Sequence, residues 1–491
     1  MSINPEFDKI QVNEVVTVSA SNGIECKLPL TEEEFKEILD AKVSTSLTLV
    51  ECFNKEIKYS GRAIFTVVYK SEGSIKKHEA GVEFSFKCDF EKCLEGMICL
   101  SDVKGENVKV NFLNGIAMAS AVIVFNGEIS KAKDVEFFSN DSRLMVKNQN
   151  VEYAYEVSKV KRECKIEDEF DLPVLVSDIL SHHEKVSITN CQSGIGVVIV
   201  DGEIELSTLI CELEQNKEPI TTVKVIPFRI EVECRDALPE FLACAFASVK
   251  STNLKVYVDE AKNKSSVSVE ICLEVNAKIY NYNTFSLGVD AYSNECEIKL
   301  SVEDKKIDKI LGFNCLEEKI RSEISFNTNE NSRLIGLISD KIEEVRYTLL
   351  GNEILIEGAL SVTCLFLSES YKAESALVPF SAKVKLSGNK FSFIRCEAVD
   401  VKASKNNVDF TLKVCFLDIE ECKISAIVAI EEGQKKKQNN AAISVYIPSA
   451  NDTLWDVSKA LGVKEEDILK TNEGLEFPLS GNERIVVYRE K

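Results

Sequence analysis

Lys58-Tyr59-Ser60-Gly61-Arg62-Ala63-Ile64-Phe65-Thr66-Val67-Val68-Tyr69 is an alternating apolar run interrupted by a single glycine. Two later stretches repeat it: Val198-Ile199-Val200-Asp201-Gly202-Glu203-Ile204-Glu205-Leu206, and Leu355-Ile356-Glu357-Gly358-Ala359-Leu360-Ser361-Val362-Thr363-Cys364. Side chains that alternate with a period of two belong to a half-buried strand, and a lone glycine inside one marks a bulge or bend. About 20–26 residues after each glycine, a spacing that fits strand, turn, strand, stands an apolar-x-Phe step: Val82-Glu83-Phe84, Ile226-Pro227-Phe228 and Val378-Pro379-Phe380.

Outward from these strands, each unit closes with further alternating runs. Val108, Val110 and Phe112 lead through Asn114-Gly115 into Ile116 and Met118, and Asn-Gly is a strong hairpin signal. In the second unit Leu254, Val256 and Val258 face Val267, Val269 and Ile271; in the third the run is Val408, Phe410, Leu412, Val414 and Phe416. Each unit also opens alike. Leu28 to Phe35 predicts a short helix with a Thr31–Glu34 capping box and a Leu30–Phe35 staple. Leu172 to Leu180 takes the same place in the second unit and Leu334 to Leu337 in the third. Phe138-Ser139-Asn140 and Tyr292-Ser293-Asn294 begin comparable joining segments. The expected fold is mainly β: three tandem antiparallel, sandwich- or barrel-like units at residues 1–137, 138–291 and 292–432, each with a short helix. Residues 433–442, polar and without periodicity, read as a flexible linker that leaves the C-terminal tip independent.

Beyond the linker the pattern changes. Val445-Tyr446-Ile447 is a short strand, and Asp452 is placed to cap a helix that buries Leu454, Val457 and Leu461 and stops at Gly462. Glu465, Glu466 and Asp467 suit the start of a second helix, which buries Ile468 and Leu469 and ends near Asn472. Arg484 to Val487 supplies a return strand. In order and spacing, residues 443–488 resemble a βααβ LysM domain.

Together with the tandem β units, the apolar-Pro-Phe step and the segment Asp290-Ala291-Tyr292-Ser293, this tip makes the chain similar to the SPOCS-plus-LysM spore-coat assembly proteins of endospore-forming clostridia. The resemblance implies SPOCS-type β units and a place in the mother-cell cytoplasm at the forespore surface. It also implies a LysM tip that binds the coat morphogenetic ATPase polymerising into the spore-coat basement layer. In LysM domains the partner groove lies between the loop opening helix one and the loop following helix two. Here those loops are Asn451, Asp452, Thr453 and Leu454, and Asn472, Glu473, Gly474 and Leu475. Trp455, the only tryptophan, stands one residue off the buried stripe, where a part-exposed indole serves as an interface anchor; packing against the sheet edge is its other use. Two positions depart from the LysM pattern: Asn451 replaces the usual glycine, and Asn472-Glu473 replaces Asn-Pro. Glu473 and Glu476 put acid beside a groove that elsewhere holds neutral N-acetyl sugars, which favours a protein ligand. Peptidoglycan, bound through N-acetylglucosamine oligomers, is the alternative.

Composition narrows the function classes. A net charge of −21 argues against nucleic acid as a partner. The N-terminus lacks a basic and apolar signal sequence, and no apolar stretch is long enough to span a bilayer, so a cytoplasmic protein with no membrane span is expected. The 17 cysteines are scattered, mostly in alternating segments, without Cys-x-x-Cys spacing, as buried reduced thiols would be, with oxidative cross-linking late in the protein's life as the other reading; no metal site is expected. His182 and His183 fall on or just after the helix expected at Ser177–Leu180, and neighbours on a helix point apart. Gly194-x-Gly196 lacks the third glycine of a phosphate loop. With no nucleophile, paired acid–base frame or cofactor motif, the expectation is a non-enzymatic protein without cofactors.

Overall fold

The recurring glycine and the recurring phenylalanine are cross-strand partners: Gly61 lies opposite Phe84, Gly202 opposite Phe228 and Gly358 opposite Phe380. The ring covers the glycine so closely that a Cβ at Gly202 would stand 2.4 Å from Phe228 Cζ and 2.5 Å from the Ser187 carbonyl oxygen. At Gly61 it would stand 2.5 Å from Phe84 Cζ. The bulge expected at the glycine is on the neighbouring strand instead. Register slips there between Leu47 and Leu49 beside Gly61 and between Ile188 and Asn190 beside Gly202, while the glycine strand stays in step with its phenylalanine strand.

The structure, a computed structural model, describes residues 5–31, 37–71, 74–172, 174–213, 218–329, 331–436 and 442–488. Three successive segments share one topology. The first holds β1 (Glu6–Thr31), β2 (Glu37–Phe53), β3 (Glu56–Ser71), β4 (Ser74–Asp89), β5 (Cys99–Leu113) and β6 (Ile116–Asn140). The second holds β7 (Leu144–Leu172), β8 (Val176–Ser193), β9 (Val197–Glu212), β10 (Ile220–Glu233), β11 (Leu242–Asp259) and β12 (Lys264–Ser293). The third holds β13 (Cys296–Glu323), β14 (Arg333–Leu350), β15 (Glu353–Leu367), β16 (Tyr371–Lys385), β17 (Lys390–Ala403) and β18 (Asn407–Lys435). In each, the first, last and fifth strands form one antiparallel sheet, and the second, third and fourth form another. The ladders therefore end at Asn140, Ser293 and Lys435, a few residues beyond the boundaries expected from sequence.

Alternating side chains of the two sheets in each segment meet in a core of their own. In the first, Ile57, Tyr59 and Phe65 of β3 pack against Ile123 and Phe125 of β6, all fully buried, and the Tyr59 and Phe125 rings stack at 4.2 Å. Burying one such side chain contributes roughly 1.5–3 kcal/mol. Separate cores of the same kind serve the second and third segments. The Asn114-Gly115 turn forms as expected, both residues at positive φ between Leu113 and Ile116.

The first and last strands outrun the others. Past Ile129, Tyr280 and Ile419 the fifth strand stops, and each segment continues as a two-stranded arm. The arms meet in one apolar cluster of Ile10 and Phe137, Val151, Tyr153 and Leu287, and Ile307, Ile424 and Ala426. A second cluster joins the other sheets: Leu39 with Val68, Leu180 with Leu209, and Ile338 with Leu365. Leu39, Leu180 and Ile338 each sit at a register slip of β2, β8 and β14, so the same position of each unit points into the hub. Polar contacts close the ring. Lys42 reaches the His182 carbonyl, Lys185 the Asp340 carboxylate at 2.7 Å, and Lys341 the Gly105 carbonyl, linking first to second, second to third and third to first.

The short helices expected in the units do not form where the chain is described. Leu172 to Leu180 runs from the end of β7 into β8, and Leu334 to Leu337 lies in β14. Leu28 to Thr31 is strand, and the rest of the expected capping box and staple falls outside the described residues. His182 and His183 are accordingly strand residues, and Gly194-x-Gly196 is the turn between β8 and β9. Residues 433–435 belong to β18 rather than to a linker, and Lys436 donates to the Ser293 and Glu295 carbonyls. The remaining linker positions 437–441 lie outside the described residues. The C-terminal module is β19 (Ile443–Tyr446), α1 (Leu454–Leu461), α2 (Glu465–Thr471) and β20 (Ile485–Tyr488), with β19 and β20 antiparallel. Among the described residues no helix is long and apolar enough to cross a membrane. All 17 cysteines are free thiols and none is exposed.

Candidate functional site

The C-terminal module folds around its own core of Val457, Ile468, Leu479, Ile485 and Val487, on which Leu454 and Leu475 pack half-buried. Helix α1 is capped by Thr453 rather than Asp452. The Thr453 hydroxyl accepts from Asp456 N–H, and the Asp456 carboxylate accepts from Thr453 N–H at 2.9 Å. The bond from the Thr453 hydroxyl holds the Asp456 carboxyl below the usual carboxylate range. Asp452 instead accepts from Ser449 N–H at 2.8 Å and from the Tyr446 hydroxyl at 3.2 Å, which ties the loop to β19. Asn451 has φ +75°, a left-handed conformation that asparagine tolerates better than most residues. In α2, Ile468 is buried as expected but Leu469 is exposed.

Asn472 is a fastener. Its amide donates to the Ile468 and Val486 carbonyls at 2.8 and 2.7 Å and accepts from Val486 N–H at 2.8 Å, locking the end of α2 to β20. Of the nine groove residues expected from sequence, Asn451, Glu473 and Gly474 are exposed, while Asp452, Thr453 and Asn472 use their side chains on the module's own backbone.

Trp455 is not part-exposed. Only 8 % of its surface is accessible, because α1 lies against the arm of the second unit. The indole N–H donates to Asp290 Oδ2 at 2.8 Å, its ring meets the Tyr292 ring edge-on at 5.1 Å, and Lys459 holds both Asp290 oxygens at 2.8 Å. The Tyr292 hydroxyl donates to the Val463 carbonyl at 2.6 Å. The tip is therefore docked on the body, and Trp455 is the anchor of that internal contact. The sequence held the docking residues in plain view as Asp290-Ala291-Tyr292-Ser293, but nothing local paired them with α1.

The opposite face of the module is open. Ile443 pairs with Tyr488 and Val445 with Val486, so these side chains share the outer face of the two-stranded sheet. Ile443, Val445 and Tyr488 are 55, 57 and 60 % exposed, and Ile447, next on that side of the chain, is 74 % exposed. These four side chains form an exposed apolar strip on a small domain.

Elsewhere, titratable groups collect at the seams between units. Lys185 and Asp340 form a buried pair, with His183 Nε2 at 3.6 Å from the same carboxylate oxygen. His182 Nδ1 lies 2.6 Å from Glu184 Oε1. Buried Lys278 of the second unit meets Glu128 of the first and lies over the Phe393 ring of the third at 4.7 Å. A cavity of about 780 Å³ lies among the three units, with Glu397 and Cys415 in its wall. Glu397 keeps surface open only partly, and burial pushes its carboxyl up to about 7. Lys185 with Asp340 and Lys278 with Glu128 are thus charges paired across the seams between units. Among the described residues no cluster of histidine, cysteine and carboxylate side chains stands ready to hold a metal ion. Compared with known proteins, the chain matches no family model, no curated protein and no solved structure.

Proposed function

We propose that this chain is a non-enzymatic adaptor in spore-coat or envelope assembly, and that its C-terminal module, which resembles a LysM domain, holds a coat morphogenetic ATPase of the basement layer. The body is a platform of three β units, and the tip raises the local concentration of its partner where that platform is anchored. Its working place is the mother-cell cytoplasm at the forespore surface.

The observation that carries the reading is the two-faced module. One face is committed to the body through Trp455 and Asp290, and the other presents Ile443, Val445, Ile447 and Tyr488 to solvent. An apolar strip suits a protein surface better than a sugar chain, whose hydroxyl and acetamido groups need polar partners. The exposed, acidic Glu473 in the loop after α2 also suits a protein ligand better than a neutral sugar.

The test is capture of the purified ATPase by the immobilised full chain. Capture by the wild type, reduced at least tenfold by Val445→Asp in a protein with an unchanged circular dichroism spectrum, supports the reading. Sedimentation of the full chain with purified peptidoglycan and no capture of the ATPase would replace the protein partner by a glycan.

A further inference from the structure

Cys315 of β13 and Cys415 of β18 stand directly opposite one another in the ladder. Their Sγ atoms are 2.8 Å apart, Cys415 donating its S–H to Cys315. That is closer than unbonded sulfurs ordinarily pack and within about an ångström of the ~2.05 Å of a sulfur–sulfur bond. Directly opposed strand residues have Cβ atoms ~4.5–5.5 Å apart, so the approach a disulfide needs is small. No other pair of thiols in the chain is joined by a direct sulfur contact between facing positions of one ladder among the described residues. We propose that Cys315 and Cys415 are a modification site, joined into an intramolecular disulfide when the protein meets a peroxide.

Three further observations support the assignment. First, the two thiols are unequal. The S–H of Cys415 and the Lys413 ammonium hold the Cys315 thiol below its ordinary value against the opposing effect of burial, whereas Cys415 is pushed up. Cys315 is thus the more readily ionised of the two, and Cys415 the thiol that resolves it. Second, burial pushes Cys191 and Cys364 up to about 12 and Cys211 up to about 11; Cys99 is also lowered, by a hydrogen bond from Cys52, but those two stand on strands of different sheets and do not face one another in a ladder. Third, Cys415 and Lys413 line the 780 Å³ cavity among the units, and Cys315 is only half-buried, so the pair is within reach of a small oxidant.

The chemistry balances with one equivalent of hydrogen peroxide. The Cys315 thiolate attacks one peroxide oxygen, the O–O bond breaks, and hydroxide leaves Cys315 as a sulfenic acid. The Cys415 sulfur then displaces the sulfenic oxygen, forming the S–S bond. The Cys415 proton and the departing hydroxide leave as water. Two thiols have lost two electrons and two protons, and the peroxide has become two waters. The product staples the first and last strands of the third unit across everything from β14 to β17, beside the seam where Cys415 Sγ lies 3.7 Å from the Ile188 carbonyl oxygen of the second unit.

The experiment uses the full chain, fully reduced and then given one equivalent of hydrogen peroxide. Remaining thiols are alkylated, and the protein is digested and read by mass spectrometry without reduction. The expected result is a cross-linked peptide pair containing Cys315 and Cys415, two hydrogens lighter than the sum of its parts and absent after reduction. The count of alkylated thiols should fall by two, and the thermal midpoint should rise by several degrees in the wild type but not in Cys315→Ser. The proposal is overturned if Cys315 and Cys415 are alkylated as fully as the other thiols. It is equally overturned if Cys315 is recovered as sulfinic acid or bonded to Cys191. The mass measurement on the wild type decides the matter even if the variant fails to fold.

Discussion

Asp290 receives two donors from the C-terminal module, the Trp455 indole at 2.8 Å and the Lys459 ammonium, and so fixes where the tip sits. Because Trp455 is the only tryptophan, its emission reports that contact alone. Asp290→Ala leaves a buried indole N–H without an acceptor, at a cost of about 1–3 kcal/mol. The emission should shift to the red and acrylamide quenching should rise severalfold, while the far-ultraviolet circular dichroism stays that of the wild type. An unshifted spectrum would show that the tip is held elsewhere. Glu397 gives a second prediction. Its carboxyl ionises near 7 in the folded protein against an ordinary value of 4.5, so between those pH values the unfolded chain binds fewer protons than the folded one. Stability therefore falls as pH rises through that window and stays lowered above it. Glu397→Gln should remove the slope, raising stability at pH 8 by at most ~3 kcal/mol and leaving it nearly unchanged at pH 4.5. Urea midpoints at the two pH values read this out.

The elements show what holds a repeated strand to its neighbour. Gly202→Ala places a methyl group against both the Phe228 ring and the Ser187 carbonyl oxygen, and backbone oxygen cannot move aside as a flexible side chain can. A loss of about 1–3 kcal/mol is expected from the overpacking, measurable as a lower urea midpoint. Phe228→Leu in the same background should recover part of it. The strands, the Asn114-Gly115 turn and the pairing of Val256 with Val267 were legible because period-two alternation is a local signal. The helix expected over Leu172 to Leu180 misled for a physical reason. Register slips in β8 at Asp178 and Ser181 break the alternation, and they bury Val176, Ile179 and Leu180. Burial at i, i+3 and i+4 is the signature of a helix face, so a doubly bulged strand imitates one. In the module the order of strand, two helices and strand was legible, and so was the Gly462 stop. The use of Trp455 was not, since its partners lie more than a hundred residues away on β12.

At the scale of the whole molecule, three copies of one topology close around two apolar hubs, and the residues that join them are nearly invisible in a single copy. Lys42, Lys185 and Lys341 look like ordinary strand lysines; only the ring makes each the reach of one unit to the next. The same holds for Leu39, Leu180 and Ile338, whose apolar character is spent between units rather than within one. The tip completes the arrangement, pinned to one arm by Trp455 and open on its apolar strip, and the proposed adaptor role depends on those two faces acting independently. The direct measurement is an equilibrium titration of the labelled coat ATPase with the full chain, with Trp455 emission recorded from the same samples by an ATPase variant lacking tryptophan. Saturable binding with an unmoved Trp455 spectrum is the predicted result, because the partner occupies the Ile443–Val445–Tyr488 face and leaves the docked face intact. No binding, or binding that shifts the Trp455 emission to the red in step with saturation, would contradict it.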